Sequence, residues 1–215
     1  MRTFYTLTLV LAALPAYAQR YEFGLHGGGS FYTDRTVTGT AVRGAPAEGK
    51  AGFSTGFGGG FTLGNSMYDL LGGELRYTYL RNDMKLEGGG ETVKFGGEAH
   101  AFHYDLLFHT AKVGSKVRPY IAVGGGAKYY RGIGTESAFQ PLSNLAILTK
   151  DDEVRPMVSF GGGVKVAISD RVLFRVDVHD LFSQIPTKVI TPAPGASLSG
   201  WIHNLVPTAG ISFTF

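Results

Sequence analysis

Apolar and polar residues alternate at period two along most of the chain, and eight such runs read as strands with one greasy and one polar face. In the first, Tyr21, Phe23, Leu25 and Phe31 share a face opposite Glu22, His26 and Ser30; in the second, Phe53, Phe57, Phe61 and Leu63 oppose Ser54, Gly56, Gly60 and Thr62. The third sets Leu71, Leu75, Tyr77 and Tyr79 against Glu74, Arg76 and Thr78, and the fourth sets Phe102, Tyr104, Leu106 and Phe108 against His103, Asp105 and His109. Ile121, Val123, Ala127 and Tyr129 oppose Tyr120 and Lys128 in the fifth, and Val158, Phe160, Val164, Val166 and Ile168 oppose Ser159 and Lys165 in the sixth. The seventh places Val172, Phe174, Val176 and Val178 opposite Arg175, Asp177 and His179; the last places Leu205, Ala209, Ile211, Phe213 and Phe215 opposite Thr208, Ser212 and Thr214.

The polar face decides the fold. It holds charges and many glycines but few bulky apolar groups, so it makes a poor exterior for a soluble sandwich or ligand-binding barrel with the greasy face turned in. Reversed, the pattern fits a membrane barrel, with an apolar band toward lipid, a polar lumen, and every backbone group paired by closure. The expectation is an all-β, eight-stranded, antiparallel, up-and-down transmembrane β-barrel over residues 19–215.

Connection lengths agree. Gly64 to Tyr68, Thr110 to Lys116 and Ser169 to Arg171 are short, whereas Thr33 to Lys50, Arg81 to Glu91, Arg131 to Arg155 and Ile185 to Gly200 are long. Four long loops therefore lie at one end, with the short turns and both termini at the other. Glu98, His100 and Asp180 break the parity rule, all near the long-loop end, where a charge costs less than at mid-membrane. Tyr79, Tyr129 and Trp201 at the loop end, and Tyr68, Phe61 and Phe213 at the turn end, are expected to form two aromatic girdles.

Composition sharpens this reading. Among 215 residues there are 32 glycines, about twice the usual share, which disfavours helices and suits tightly coiled strands. Cysteine is absent, which removes disulfides, thiolate metal sites and thiol nucleophiles. A net charge of only +3 gives no reason to expect nucleic acid. Arg2, the apolar stretch Phe4 to Leu14 and the Ala16-Tyr17-Ala18 cleavage pattern read as an export signal over residues 1–18.

Several motifs resemble chemistry. Gly44 to Ala51 approaches a phosphate-binding loop, but Ala51 stands where a hydroxyl should bind magnesium, and the segment precedes an alternating run rather than opening a helix. Gly-Gly-Gly triplets begin at Gly27, Gly58, Gly88, Gly124 and Gly161; four interrupt strands and are read as bending devices that make room for neighbouring rings. The inward acids Glu22, Glu74, Asp105 and Asp177 balance the inward bases Arg76, Lys128, Lys165 and Arg175, with His26, His103 and His179 on the same face. Since an eight-stranded interior is just filled by side chains, these residues are expected to form a polar lumen network. A narrow pore is the alternative. A lipid-modifying enzyme is a second alternative, but no serine neighbours a histidine in the pattern a nucleophile and base require, so no catalytic residue is assigned. No metal site is expected, because His100 faces away from His103 and Asp105, and no cofactor is implied.

The export signal, Arg118 to Gly126, Arg175 to Asp180 and the terminal Thr208 to Phe215 together resemble the small eight-stranded outer-membrane β-barrels of the OmpA/OmpX type. The resemblance implies the outer membrane of a Gram-negative-type bacterium, a monomer in lipid and lipopolysaccharide, and a structural or surface-interaction role. It also implies that Ile211, Phe213 and Phe215 form the signal read by the barrel assembly machinery. No peptidoglycan-binding domain follows the last strand in this sequence, so cell-wall tethering is not carried over. Arg35, Arg43, Lys50, Lys85, Arg131 and Lys150 supply loop cations for acidic surface glycolipid, or simply solvated charge.

Overall fold

The computed structural model describes residues 20–40, 46–136 and 139–215. The signal segment with Ala16 and Ala18, and loop residues Arg43, Gly44 and Ala45, lie outside the described residues. The strands, in chain order, are β1 (Tyr21–Tyr32), β2 (Arg35–Thr40), β3 (Pro46–Phe53), β4 (Gly56–Ser66), β5 (Leu71–Arg81), β6 (Met84–Gly88), β7 (Glu91–Phe95) and β8 (Gly97–His109). They continue with β9 (Val117–Gly132), β10 (Ala146–Leu148), β11 (Asp152–Ser169), β12 (Val172–Gln184), β13 (Ile190–Pro192), β14 (Ser197–Leu198), β15 (Trp201–Ile202) and β16 (Asn204–Thr214).

Eight of these close a cylinder. Running β1, β4, β5, β8, β9, β11, β12, β16, each pairs antiparallel with the next, and β16 returns to β1 through a register that includes Leu25 opposite Ile211. No helix among the described residues is long and apolar enough to cross a membrane, and closure leaves the cylinder without an open edge.

Parity is obeyed around the wall. Phe57 is 61% exposed and Ile211 47%, whereas Glu74 is fully buried and Arg175 only 1% exposed. Phe23, Phe102, Phe160, Val176 and Phe213 join the outward apolar band. Inward glycines answer the bulk of inward polar residues: Gly126 lies opposite His103, Gly163 opposite Asp177, and Gly210 opposite both Arg175 and His26. A Cβ on Gly163 would stand 2.5 Å from that of Asp177, and one on Gly126 2.7 Å from that of His103. The glycines thus admit charged and imidazole side chains to a narrow lumen, more than the aromatic rings expected for them.

The long connections are more ordered than their Gly- and Pro-rich sequence suggests. β14, β2, β3, β6 and β7 form a five-stranded sheet drawn from three of the four loops, and β10 pairs with β13 from the third and fourth. The β6–β7 hairpin turns on Gly89 and Gly90, with φ of 57° and 85°, the left-handed pair that a two-residue turn needs. Beneath these strands lies an apolar core. Val37, Phe53, Met84, Leu86, Leu148, Ile190 and Leu198 from the loops pack with Leu80, Ala101, Tyr130, Met157, Leu181 and Val206 from the inner wall. Phe53, expected on the lipid face, belongs to β3 instead and packs its ring 4.7 Å from Tyr32 and 5.4 Å from Tyr130. Phe61 is also displaced from expectation: it sits mid-strand beside Tyr77, not at the turn-end girdle.

Candidate functional site: the lumen

From the turn end to the loop end, the lumen is layered. Its first solid layer is an ion-pair chain. Lys165 Nζ stands 2.5 Å from Glu22 Oε2, and Glu22 Oε1 stands 3.5 Å from Arg175 Nη1. Arg175 donates to both oxygens of Glu74, at 2.7 and 3.1 Å, and its Nε donates to Asp177 at 3.0 Å. Arg76 donates through Nε to Glu74 at 3.2 Å and through both Nη atoms to Asp177. Tyr120 and Thr208 hydroxyls complete the Asp177 shell at 2.9 and 2.6 Å. Three cations face three carboxylates here, each at most a tenth exposed, which is the paired and hydrogen-bonded condition that buried charge requires.

Above it lies a histidine layer. His103 Nδ1 is 3.1 Å from Asp105 Oδ1, His179 Nδ1 is 3.5 Å from Asp105 Oδ2, and His26 Nε2 is 3.1 Å from Thr78 Oγ1. Ser159 Oγ also lies 3.3 Å from His179 Nδ1, a cross-strand contact that sequence spacing does not reveal. The same Nδ1 faces both the serine and Asp105, while His179 Nε2 stands 3.8 Å from Asp177 Oδ1, beyond hydrogen-bond reach, so no acid is hydrogen-bonded to the ring nitrogen opposite the serine. Ser159 and His179 are also buried away from the lumen's turn-end cavity.

Lys128 stands apart from the other inward charges. Its ammonium donates to Asn204 Oδ1 at 2.6 Å and lies 4.5 Å from the Tyr32 ring centroid and 5.3 Å from that of Tyr130. Among the described residues it forms no ion pair. The expected balanced network of eight charges is therefore divided: Lys128 is solvated by an amide and two aromatic faces, at the boundary between the polar lumen and the apolar core.

At the outer rim, the parity-breaking residues find polar partners on the outside of the wall. Tyr77 hydroxyl lies 2.8 Å from His100 Nδ1, Tyr79 donates to Glu98 at 3.1 Å, and Arg131 lies 3.6 Å from Glu98. Asp180 Oδ2 is 2.6 Å from His203 Nδ1. Besides Arg131, two more of the loop cations expected at the surface have partners within the protein: Arg35 donates to the Trp201 carbonyl, and Lys85 pairs with Asp34 at 3.0 Å and Glu87 at 3.3 Å. Burial by itself would lower the Lys85 pKa, but these two carboxylates outweigh it and hold the ammonium above its ordinary value. Lys50 and Lys150 are exposed. Ile211, Phe213 and Phe215 all face outward along the last strand.

At the turn end a cavity of about 300 Å3 opens below the ion-pair chain, lined among others by Glu22, His109, Lys116, Arg118, Lys165 and Asp170. At the opposite end, the loop core covers the mouth.

No protein-family model matches the chain, and no curated protein matches it. Among solved structures, Neisserial surface protein A aligns at 13% identity over 90% of this chain and 97% of its own, with a TM-score of 0.48. The N-terminal β-barrel domain of Pseudomonas aeruginosa OprF aligns at 15% identity over 92% and 99%, with a TM-score of 0.43. The outer membrane protease OmpT of Escherichia coli aligns at 8% identity over 95% and 99%, with a TM-score of 0.48. The closed eight-stranded barrel itself is established by the strand pairings of this chain.

Proposed function

We propose, from the premise that this chain has the architecture of the small eight-stranded outer-membrane barrels, that it is a non-conducting, non-catalytic integral protein of a Gram-negative-type outer membrane with a structural or surface-interaction role. The observation that carries this reading is the double closure of the lumen. A paired ion network fills its turn-side half, and an apolar core shared by wall and loops covers its other end. An ion crossing this interior would have to displace arginines from their carboxylates and then pass the packed apolar core shared by wall and loops.

The outward band suits acyl chains, and the Tyr77, Tyr79, Glu98, His100 and Arg131 cluster at its upper margin suits lipopolysaccharide headgroups. On this reading the protein is a monomer, exported by cleavage after Ala18. Ile211, Phe213 and Phe215 then present the outward apolar pattern that the barrel assembly machinery would engage. The loop-end sheet supplies a rigid outer surface for any external partner.

Planar-bilayer recording on refolded protein tests the reading. The expected trace has no reproducible steps at any moderate voltage. Stepwise conductance of constant size would replace this function with that of a narrow pore.

A further inference from the structure

We propose that the turn-end cavity is a binding site for a small oxyanion, a carboxylate or phosphate group, received by Arg118 with His109 beside it. The proposal goes beyond the sealed-barrel reading and stands without it, since the site lies below the closure.

The first observation is a buried cation with no carboxylate at contact among the described residues. Arg118 is only 8% exposed, and its guanidinium makes three bonds: Nε to the Ala111 carbonyl at 3.1 Å, Nη1 to Ser66 Oγ at 3.2 Å, and Nη2 to the Asp69 carbonyl at 2.9 Å. All three acceptors are neutral. Among the described residues Arg118 forms no ion pair, whereas Arg76, Arg175 and Lys165 in the layer above each have two or more carboxylates within 4.0 Å. A guanidinium carries five N–H donors, so one on each Nη remains after those bonds. Such a planar donor set matches the paired oxygens of a carboxylate or phosphate.

The second observation is independent of the first. His109, 6% exposed, lines the same cavity with both ring nitrogens lacking a hydrogen-bond partner. Buried polar atoms are normally satisfied, and two orphans on one ring beside open space mark a place where something polar binds. Glu22 and Asp69 act on Arg118 only across a gap wider than an ion pair, and Glu22 is also engaged by Lys165 and Arg175. Lys116 adds a further positive charge at the rim.

The cavity volume corresponds to about ten waters, room enough for an acidic group on a short stem. Two sources present that chemistry at this end of a barrel: a free solute and the headgroup of an anionic phospholipid.

The test uses protein refolded in nonionic micelles, with the His109 ring resonances followed by NMR as inorganic phosphate or acetate is added. Chloride at matched ionic strength serves as the reference. Saturable shifts with either oxyanion, beyond those of chloride, are expected. Arg118→Lys should weaken them by about tenfold and His109→Phe, followed through the Gly114 amide, by several-fold, while Lys94→Gln at the far end leaves them unchanged. Each variant is first checked for heat-dependent mobility on gels; Arg118→Lys keeps the charge, so the test survives if complete removal of Arg118 prevents folding. Spectra in nanodiscs of phosphatidylglycerol and of phosphatidylcholine, without added phosphate, separate the sources: a shift confined to phosphatidylglycerol assigns the lipid headgroup, and no difference assigns the free solute. Shifts that never exceed those with chloride, or that persist undiminished in Arg118→Lys, would overturn the proposal.

Discussion

Arg76 and Asp177, 101 positions apart in the chain, meet across the lumen in a two-pronged bond, Nη1 to Oδ1 at 3.1 Å and Nη2 to Oδ2 at 3.0 Å. β5 and β12 do not pair with each other. The contact therefore braces opposite sides of the cylinder in a way that the strand ladder does not. Because Asp177 also receives Arg175, Tyr120 and Thr208, it is the most heavily used acceptor of the interior.

Removing that carboxylate should be costly. Asp177→Asn leaves two buried guanidinium groups short of charge, and loss of one partner in a buried pair typically costs about 3–5 kcal/mol. In urea unfolding from micelles the expected result is a clear fall in midpoint, with Arg76→Gln alone also destabilising. The double variant should lose less than the sum, since the two changes remove one shared interaction. Strict additivity would show that the fork carries no coupling.

Two adjacent glycines on β1 make the steric argument testable. A Cβ on inward Gly28 would run into the Pro207 carbonyl oxygen, a backbone atom that cannot yield, whereas one on Gly27 meets nothing closer than the Gly58 carbonyl at 3.6 Å. Gly28→Ala should therefore cost about 1–3 kcal/mol, the usual range for overpacking. Gly27→Ala should stay within about 0.5 kcal/mol of the parent. Equal effects on the same unfolding assay would mean that the glycines matter through chain flexibility and not through space.

Much of this architecture was legible in parity. A period of two assigns every residue of a strand to one face, so Glu74, Arg76, Lys165 and Arg175 fall inside once the greasy face is given to lipid. Parity contains no depth, however. It groups Lys128 with the other inward charges, although β9 carries it up toward Tyr130 and out of contact with the carboxylates of the ion-pair chain. The apolar cap left a trace that composition concealed: Leu80, Met157, Leu181 and Val206 share the inward parity of charged or hydroxyl residues on their own strands, but lie toward the loop end. That change from polar to apolar on a single face marks where the apolar cap begins. The loop strands were harder to read, because β2, β10, β13 and β14 are at most six residues long and pair across different loops. Ser159 beside His179, and Arg118 with His109 around one cavity, depend on strand neighbours far apart in sequence, which alternation alone does not specify.

The loop-end sheet should carry an alkaline transition of its own. Lys85 on β6 pairs with Asp34, just before β2, and with Glu87, and these carboxylates hold its pKa above the ordinary value of 10.5 despite the opposing effect of burial. A lysine whose folded pKa exceeds its unfolded one adds stability in full below the unfolded value and loses it as pH rises through the folded value. The parent should thus exceed Lys85→Met in urea midpoint at about pH 9, with the gap closing progressively above about pH 10.5 as the ammonium loses its proton in both states. Tyrosine ionisation at the same pH affects both proteins alike and cancels in the difference. A gap that stays constant through this window would show that Lys85 acts through its methylene packing and not through its charge.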